Sequence, residues 1–549
     1  MKEFQPRVGY FSAEIGVSPS IPSYSGGLGV LAGDHVKAAA DAAFPLVGVT
    51  LLYREGYMNQ RIDAQGRQTE EYPPFNPSWL LENLHKSVSI RINSHTIHLG
   101  IWRYWIEGVT GFRVPILFLD SDLPENEEAH RDLCSRLYAG DNQHRLYQEM
   151  AMGLGGMAAL KLLGYQKSIK VYHMNEGHTA FLTLDLLKDS RGAVESVRQQ
   201  CVFTTHTPVP AGHDEFSYDI ALPALGAFAP ANLKDLADNH GKLSMTNLAL
   251  HLSRSINAVS KLHAQVAQHM YPDDTVKAVT NGVHHLSWTS RETQHLYDKN
   301  LPKWSVDPTE LLKVKDISDT ALWESHMENK SNLLDYANAM TQKGLSPDLL
   351  TFGFARRAAT YKRANLLFYD MERLASVCKG KVQFIFAGKA HPRDEHGKEV
   401  IQELYTHVKQ LSGRVNIVFL ENYNMWLGRL ITSGVDVWLN TPLRPNEASG
   451  TSGMKAALNG VPNLSILDGW WNEGCRNGEN GWSFGEPMIP SDRSDASELY
   501  RVLEEKVIPV FYENRSAWIQ MMRESIKTGV EFTAKRMLDD YIREIYKLS

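Results

Sequence analysis

Short apolar runs recur along this chain. Most end in a polar or glycine-containing segment, and most are followed by a stretch with helical spacing. VGYFSAEIGV near the start predicts a strand, Gly26-Gly27-Leu28-Gly29 a glycine-rich loop, and the alanine-rich run after it a helix. FRVPILFLD, IKVYHMN and QQCVFTT read as further strands, the last ending in Thr205-His206-Thr207. After the turn LSPDLL a second series opens, with TFGFA, KVQFIFAG, RVNIVFLEN and VDVWLN each ending in a polar or glycine loop. Alternation of strands and helices at this spacing predicts parallel, doubly wound sheets. In such sheets ligands gather beyond the carboxyl ends of the strands.

Other stretches break this rhythm. LLYREGYMNQRID and IRINSHTIHLGIWRYWIEG alternate with period two and predict antiparallel strands inserted into the first series. TNLALHLSRSINAVSKLHAQVAQHM reads as one long core-facing helix, Asp319 to Gln342 as another, and the tail from Ser494 as successive helices. Thr275 to Trp288 reads as the crossover between two halves. With 549 residues the chain is too long for one core. The expected domains are 1–284 and 285–549, each Rossmann-like.

Composition narrows the classes. A net charge of −6 gives no reason to expect nucleic acid or an anionic membrane as partner. The four cysteines contain no CxxC pair, which argues against a disulfide framework or a zinc site, so no metal is expected. The first residues lack the apolar core of a signal peptide, and no stretch is long and apolar enough for a membrane span. The expected compartment is the cytoplasm.

Two stretches carry candidate chemistry. Arg444 to Gly469 reads RPNEASGTSGMKAALNGVPNLSILDG, with small residues ahead of a short helical pattern holding Lys455 and a stop at Gly460. Small residues let backbone N–H groups approach a ligand, and a helix start adds positive potential. Thr451 or Ser452 is expected to cap that helix. The result is a candidate anion cradle beside one amine. The second stretch is the basic corner Arg356-Arg357 and Tyr361-Lys362-Arg363. Guanidinium forks match oxyanions in bidentate geometry and lysine adds a point charge.

The string from Arg444 to Gly469 resembles the cofactor-lysine motif of the α-glucan (glycogen or maltodextrin) phosphorylases, and the resemblance extends from Tyr10 to about Trp482. It implies the GT-B arrangement, two doubly wound Rossmann-like domains facing across a cleft. It implies pyridoxal 5′-phosphate carried on Lys455 as a Schiff base, with Arg356, Thr451, Ser452 and Tyr423 around the cofactor. Arg357 and Lys362 then stand for the family's substrate-phosphate residues, and His206 for the histidine beside the sugar. Arg356 departs from the lysine of many relatives. Gly26, Gly27, Glu14, Asp141, Asn142, Asn281, Tyr361, Glu447, Ser449 and Gly450 fall on family positions that hold glucose or phosphate. Asn175-Glu176-Gly177-His178 resembles a family turn.

The implied reaction is phosphorolysis of terminal α-1,4-glucosidic bonds by inorganic phosphate, giving α-glucose 1-phosphate with retention. Two phosphates side by side carry roughly −3 to −4. Three formal positive charges on Arg356, Arg357 and Lys362, with about half a charge from each helix start, nearly balance them. The resemblance also implies a homodimer. Because the first strand begins near Tyr10, no N-terminal phosphorylation switch is expected. The alternative is a retaining, nucleotide-sugar-dependent glucosyltransferase of the glycogen-synthase type, which needs no Schiff-base lysine. A non-catalytic glucan-binding protein is a further alternative, disfavoured by the basic cluster.

Overall fold

The computed structural model describes residues 4–208, 213–486 and 490–548. The chain divides into two compact units, one of residues 1–58, 72–280 and 537–549, the other of residues 59–71 and 281–536. One of the crossings between the units follows Thr280. The units are discontinuous in sequence: residues 59–71 group with the second unit and residues 537–549 with the first.

The first unit is built on a nine-stranded sheet. Its strands are β1 (Val8–Ser12), β2 (Leu46–Leu51), β3 (Glu82–Ile92), β4 (His95–Glu107), β5 (Arg113–Asp120), β6 (Val171–Asn175), β7 (Cys201–Thr204), β8 (Ser255–Ala258) and β9 (Val276–Ala278). They lie in the order β9-β8-β7-β6-β1-β2-β5-β4-β3. From β9 to β5 every pairing is parallel, and β4 and β3 add an antiparallel meander at one edge. β1, β2 and β6 are buried along their whole length. That is why β1 and β6 read as runs rather than as alternation, while β2 is a strand that the expected series lacks.

The run from Thr246 to Met270 is not one helix. It forms the helix Met245–His251, the strand β8 and the helix Lys261–Met270. β8 has only four residues, all buried and paired between β7 and β9, so it is too short to interrupt an amphipathic period.

The C-terminal residues complete this unit's core. Tyr546 Oη lies 3.0 Å from His35 Nε2 and 2.8 Å from His173 Nδ1. Thr204 Oγ1 lies 2.8 Å from His173 Nε2 and donates to Asn257 Oδ1, while Asn257 Nδ2 donates to Tyr541 Oη at 3.0 Å. Burial lowers His35 to about 3 and holds His173 well below the usual histidine range, so both rings are neutral links in a hydrogen-bonded chain.

The second unit holds a six-stranded, all-parallel sheet. Its strands are β10 (Leu350–Ala355), β11 (Val382–Ala387), β12 (Asn416–Leu420), β13 (Val437–Asn440), β14 (Asn463–Ile466) and β15 (Gly481–Phe484). The order is β12-β11-β10-β13-β14-β15. Counted within the unit this is 3-2-1-4-5-6, the doubly wound order whose direction reverses between the first and fourth strands. β14 and β15 are strands that the expected series lacks; their four-residue lengths and neighbouring glycines hide them. The helix Asp319–Thr341 ends where Gln342 turns left-handed at φ 54°.

No helix among the described residues is long and apolar enough to cross a membrane. All four cysteines carry free thiols, and Cys134, Cys201 and Cys378 are buried.

Candidate active site

The reversal of strand order in the second sheet lies between β10 and β13. The candidate phosphate residues follow those two strands directly. Arg356 and Arg357 are the first residues after β10, and the loop after β13 carries Glu447, Ser449 and Gly450 before the helix Ser452–Leu458 with Lys455. Fold and motif therefore converge on one place, the crevice where open parallel sheets hold ligands.

At its centre is a buried ion cluster. Lys362 Nζ donates to both oxygens of Glu447 at 2.6 Å, and Arg356 Nη2 donates to Glu447 Oε2. Glu447 is 9% exposed, Arg356 8% and Lys362 10% at their side chains. Burial alone would raise the Glu447 carboxyl, but the two cations overcome that and bring it down to about 2. Glu447, expected on sugar hydroxyls, is here the counter-ion of the two cations. Those three groups sum to one positive charge, less than a count of the cations alone suggests.

Arg356 keeps donors in reserve: Nε and Nη1 are buried without a hydrogen-bond partner, as is Ser449 Oγ. Tyr361 packs its ring 4.4 Å from Lys362 Nζ. Arg357, the next residue, is exposed. Arg363, the last of the Tyr-Lys-Arg run, is spent on structure. It donates to the carbonyls of Thr441 and Pro442 and pairs with Asp492 and Asp495.

Lys455 is 6% exposed, and its amine lies 3.5 Å from the centroid of the Trp288 ring. The expected cap is not made. Thr451 takes helical dihedrals, φ −63° and ψ −13°, where capping needs an extended residue, and it gives no side-chain bond. Ser452 Oγ instead accepts the Trp438 indole N–H at 3.2 Å. Gly460 ends the helix at φ 77° as expected, and Gly450 at φ 81° lets the backbone turn against Glu447. Tyr423 is half-buried against Gly428. Asn281 accepts from Arg536 through its carbonyl, while its buried Oδ1 has no hydrogen-bond partner.

Asp468 joins this site without having stood among the expected residues. It lies in the ILDG segment just past β14, where a polar residue ending a buried strand is the available signal. Its carboxylate accepts the backbone N–H of Glu447 at 3.0 Å and of Gly469 at 2.9 Å, so it fixes the loop that carries Glu447. Burial, aided by the Glu447 charge, pushes Asp468 up from 3.8 to about 7. Between those values the folded protein binds the proton that the unfolded chain releases, so stability falls as pH rises through that window. Asp468→Asn is expected to remove this decline, seen as a flatter dependence of urea midpoint on pH in the ligand-free protein. An unchanged slope would place the decline elsewhere.

In the first unit a second group assembles where β1 adjoins β6. Glu14, two residues past β1, accepts Ser25 N–H at 2.6 Å, Gly26 N–H at 3.2 Å and Tyr138 O–H at 2.6 Å. It thereby ties the glycine loop to the Leu137–Asn142 loop. The helix begins at Gly27 rather than after Gly29, and Gly29 packs so closely that a Cβ there would lie 2.6 Å from Glu14 Cβ. At Gly26 and Gly27 a Cβ would meet nothing within 4 Å, so their backbone borders open space. Asp141 caps the helix Asn142–Met150 by accepting His144 N–H at 2.9 Å, and Asn142 is exposed.

His206 Nε2 lies 2.7 Å from Asn175 Oδ1, and its backbone N–H donates to Glu176 at 2.8 Å. Burial lowers this imidazole to about 4. Because the amide oxygen can only accept, the neutral ring carries its proton on Nε2. Glu176, expected only as part of a turn, also accepts from Thr207 and holds the His206 segment. Residues 209–212 of that segment lie outside the described residues.

A doubly wound α/β enzyme with buried guanidinium and ammonium groups at its switch point is a handler of oxyanions. The relatives make the class specific. Residues 229–484 match the carbohydrate phosphorylase family, and residues 10–282 match the starch synthase catalytic domain. Over 98% of its length the chain is 40% identical to maltodextrin phosphorylase of Thermococcus litoralis, covering 70% of that protein. It is 36% identical to glycogen phosphorylase of Mycobacterium tuberculosis over 98% of the chain and 70% of the relative, and 35% identical to that of Aquifex aeolicus over 98% and 85%. The chain belongs to the carbohydrate phosphorylase family.

Proposed function

We propose that this enzyme is an α-1,4-glucan phosphorylase that cleaves the terminal glucosidic bond with inorganic phosphate and releases α-glucose 1-phosphate with retention. On this reading the two units are the halves of a GT-B enzyme, and Lys455 holds pyridoxal 5′-phosphate. The observation that carries the reading is the buried Arg356–Glu447–Lys362 cluster, which joins the segments after β10 and β13 and whose Glu447 stands on the loop leading into the helix of the buried Lys455. The donor set suits a cofactor phosphate: Arg356 Nε–H and Nη1–H and the Ser449 hydroxyl are buried and unpaired. When bound, pyridoxal phosphate supplies a phosphate whose second pKa of about 6 lets it exchange a proton at neutral pH.

The chain's own residues do the remaining work. Lys362 and Arg357 bind substrate phosphate as point charge and fork, and Arg356 serves the cofactor side. The substrate phosphate gives its proton to the departing glycosidic oxygen, then bonds through oxygen to the anomeric carbon on the same face. No carboxylate pair is required, in contrast to most glycosidases. Glu447 shifts its hydrogen bonds toward sugar hydroxyls as the anion takes over its cations. Asn281, Tyr361, Ser449 and Gly450 hold the sugar and phosphate from the second unit. In the first unit Glu14 orders the Gly26-Gly27 loop, Asp141 and Asn142 sit on the adjoining loop, and the neutral His206 faces the sugar as a dipole.

Incubation with maltodextrin and inorganic phosphate is expected to release glucose 1-phosphate. Glucosyl transfer only from a nucleotide sugar would overturn the proposal. That second reading draws its support from the match of residues 10–282 to the starch synthase catalytic domain.

A further inference from the structure

We propose that His95, Glu127 and His130, on the surface of the first unit, form a binding site for a divalent transition-metal ion of the zinc type. This site is independent of the phosphorylase chemistry, and it revises the expectation of no metal. One ligand atom from each residue lies within 4.8 Å of the other two. His95 Nδ1 is 3.5 Å from one Glu127 oxygen and His130 Nδ1 is 3.9 Å from the other. The two imidazole centroids are 4.8 Å apart at an interplanar angle of 59°. Two imidazole nitrogens and one carboxylate oxygen make a donor set that zinc accepts, with the fourth position left to water. Metal–ligand bonds of about 2.0–2.1 Å place tetrahedral ligands roughly 3.3 Å apart, so small rotations of partly exposed side chains complete the geometry.

The backbone under these ligands is already fixed. His95 opens β4, while Glu127 precedes and His130 lies within a one-turn helix, Glu128–Arg131, after β5. The buried Asn126 side chain joins loop to strand. It accepts His98 N–H at 2.7 Å and donates to His98 O at 2.8 Å and to Ser121 O at 2.6 Å. Arg131 Nε donates to Asn126 O, and Ser121 Oγ donates to Arg131 O. Little backbone ordering therefore remains to oppose binding.

The sequence around the loop favours a cation: Asp122, Glu125, Glu127, Glu128 and Asp132 surround Arg131 and His130.

The test uses the full-length, tag-free protein, stripped with chelator and titrated calorimetrically with Zn²⁺ at pH 7.5, beside His95→Ala, Glu127→Gln and His130→Ala. One ion per chain and a rise in Tm with zinc are expected for the parent protein. His95→Ala is expected to weaken binding by at least about a hundredfold, the upper range for losing even an outer-sphere partner. Cobalt(II) is expected to give visible ligand-field bands in the parent and not in the variants. His95→Ala is expected to keep its phosphorolysis rate in the absence of zinc, which also shows that it folds. Absence of stoichiometric zinc, or equal binding by parent and variants, would overturn the site.

Discussion

Lys455→Ala is expected to purify without the visible absorbance of bound pyridoxal phosphate. Phosphorolysis should fall by at least about a thousandfold, roughly 4 kcal/mol of barrier. The parent's Lys455 is buried, and its amine lies 3.5 Å from the centre of the Trp288 ring, a dry setting that keeps a covalently attached group from exchange with water. Borohydride treatment of the parent, followed by peptide mass mapping, is expected to place the modification on Lys455 alone. Retention of colour and rate by Lys455→Ala would refute the assignment of the cofactor to this residue. The companion change Lys362→Met is expected to leave the colour and raise KM for phosphate, because it removes a substrate-side charge. The two variants thus separate loss of cofactor from loss of anion binding.

Lys330→Met is the substitution with the largest expected effect on stability. Lys330 and Asp436 are both fully buried, joined at 2.6 Å. Lys330 Nζ also donates to Leu349 O at 2.7 Å, and Asp436 accepts Thr351 N–H at 2.7 Å and pairs with His326 at 2.8 Å. Burial would raise the Asp436 carboxyl, but Lys330 and His326 keep it below its ordinary value. Removing the lysine strands a carboxylate in the core, at a cost of about 3–5 kcal/mol. The measurement is chemical denaturation followed by circular dichroism. A loss within about 1 kcal/mol, the worth of a surface pair, would mean that Asp436 finds another partner or protonates at little cost. Lys330→Met with Asp436→Asn is expected to recover part of the loss, since the pair is coupled.

The second sheet is the more legible in sequence. Its first strands are buried on both faces and end in chemistry-bearing loops, so apolar runs and motifs mark the same positions. The motifs point toward the switch point, but its position rests on strand order. Strand order depends on which strands pair, and the periodicity of a single sequence does not encode that. The strands β8, β14 and β15 escape because each is short and either sits inside a longer helix-like period, as β8 does, or is flanked by glycines, as β14 and β15 are. At the site, the residue types that bind oxyanions are readable, and their partners are not. That Glu447 neutralises Arg356 and Lys362 follows from side chains 91 and 85 positions apart in sequence. Asp468 is hidden because one buried carboxyl past a strand looks like an ordinary turn residue until its two backbone donors are seen. Thr451 looks like a cap by composition alone, whereas capping is decided by its dihedral angles.

The grouping of residues 537–549 with the first unit has a consequence for synthesis. Tyr541 and Tyr546 bond to the polar groups of His35, His173 and Asn257, yet they follow the whole second unit through the ribosome. The emerging polypeptide must therefore hold its amino-terminal half incomplete, with two imidazoles short of phenolic partners, until translation has passed through everything in between. Completion of that core thus falls on those late helical turns, and a nonsense codon just ahead of Tyr541 would damage the half that was made first.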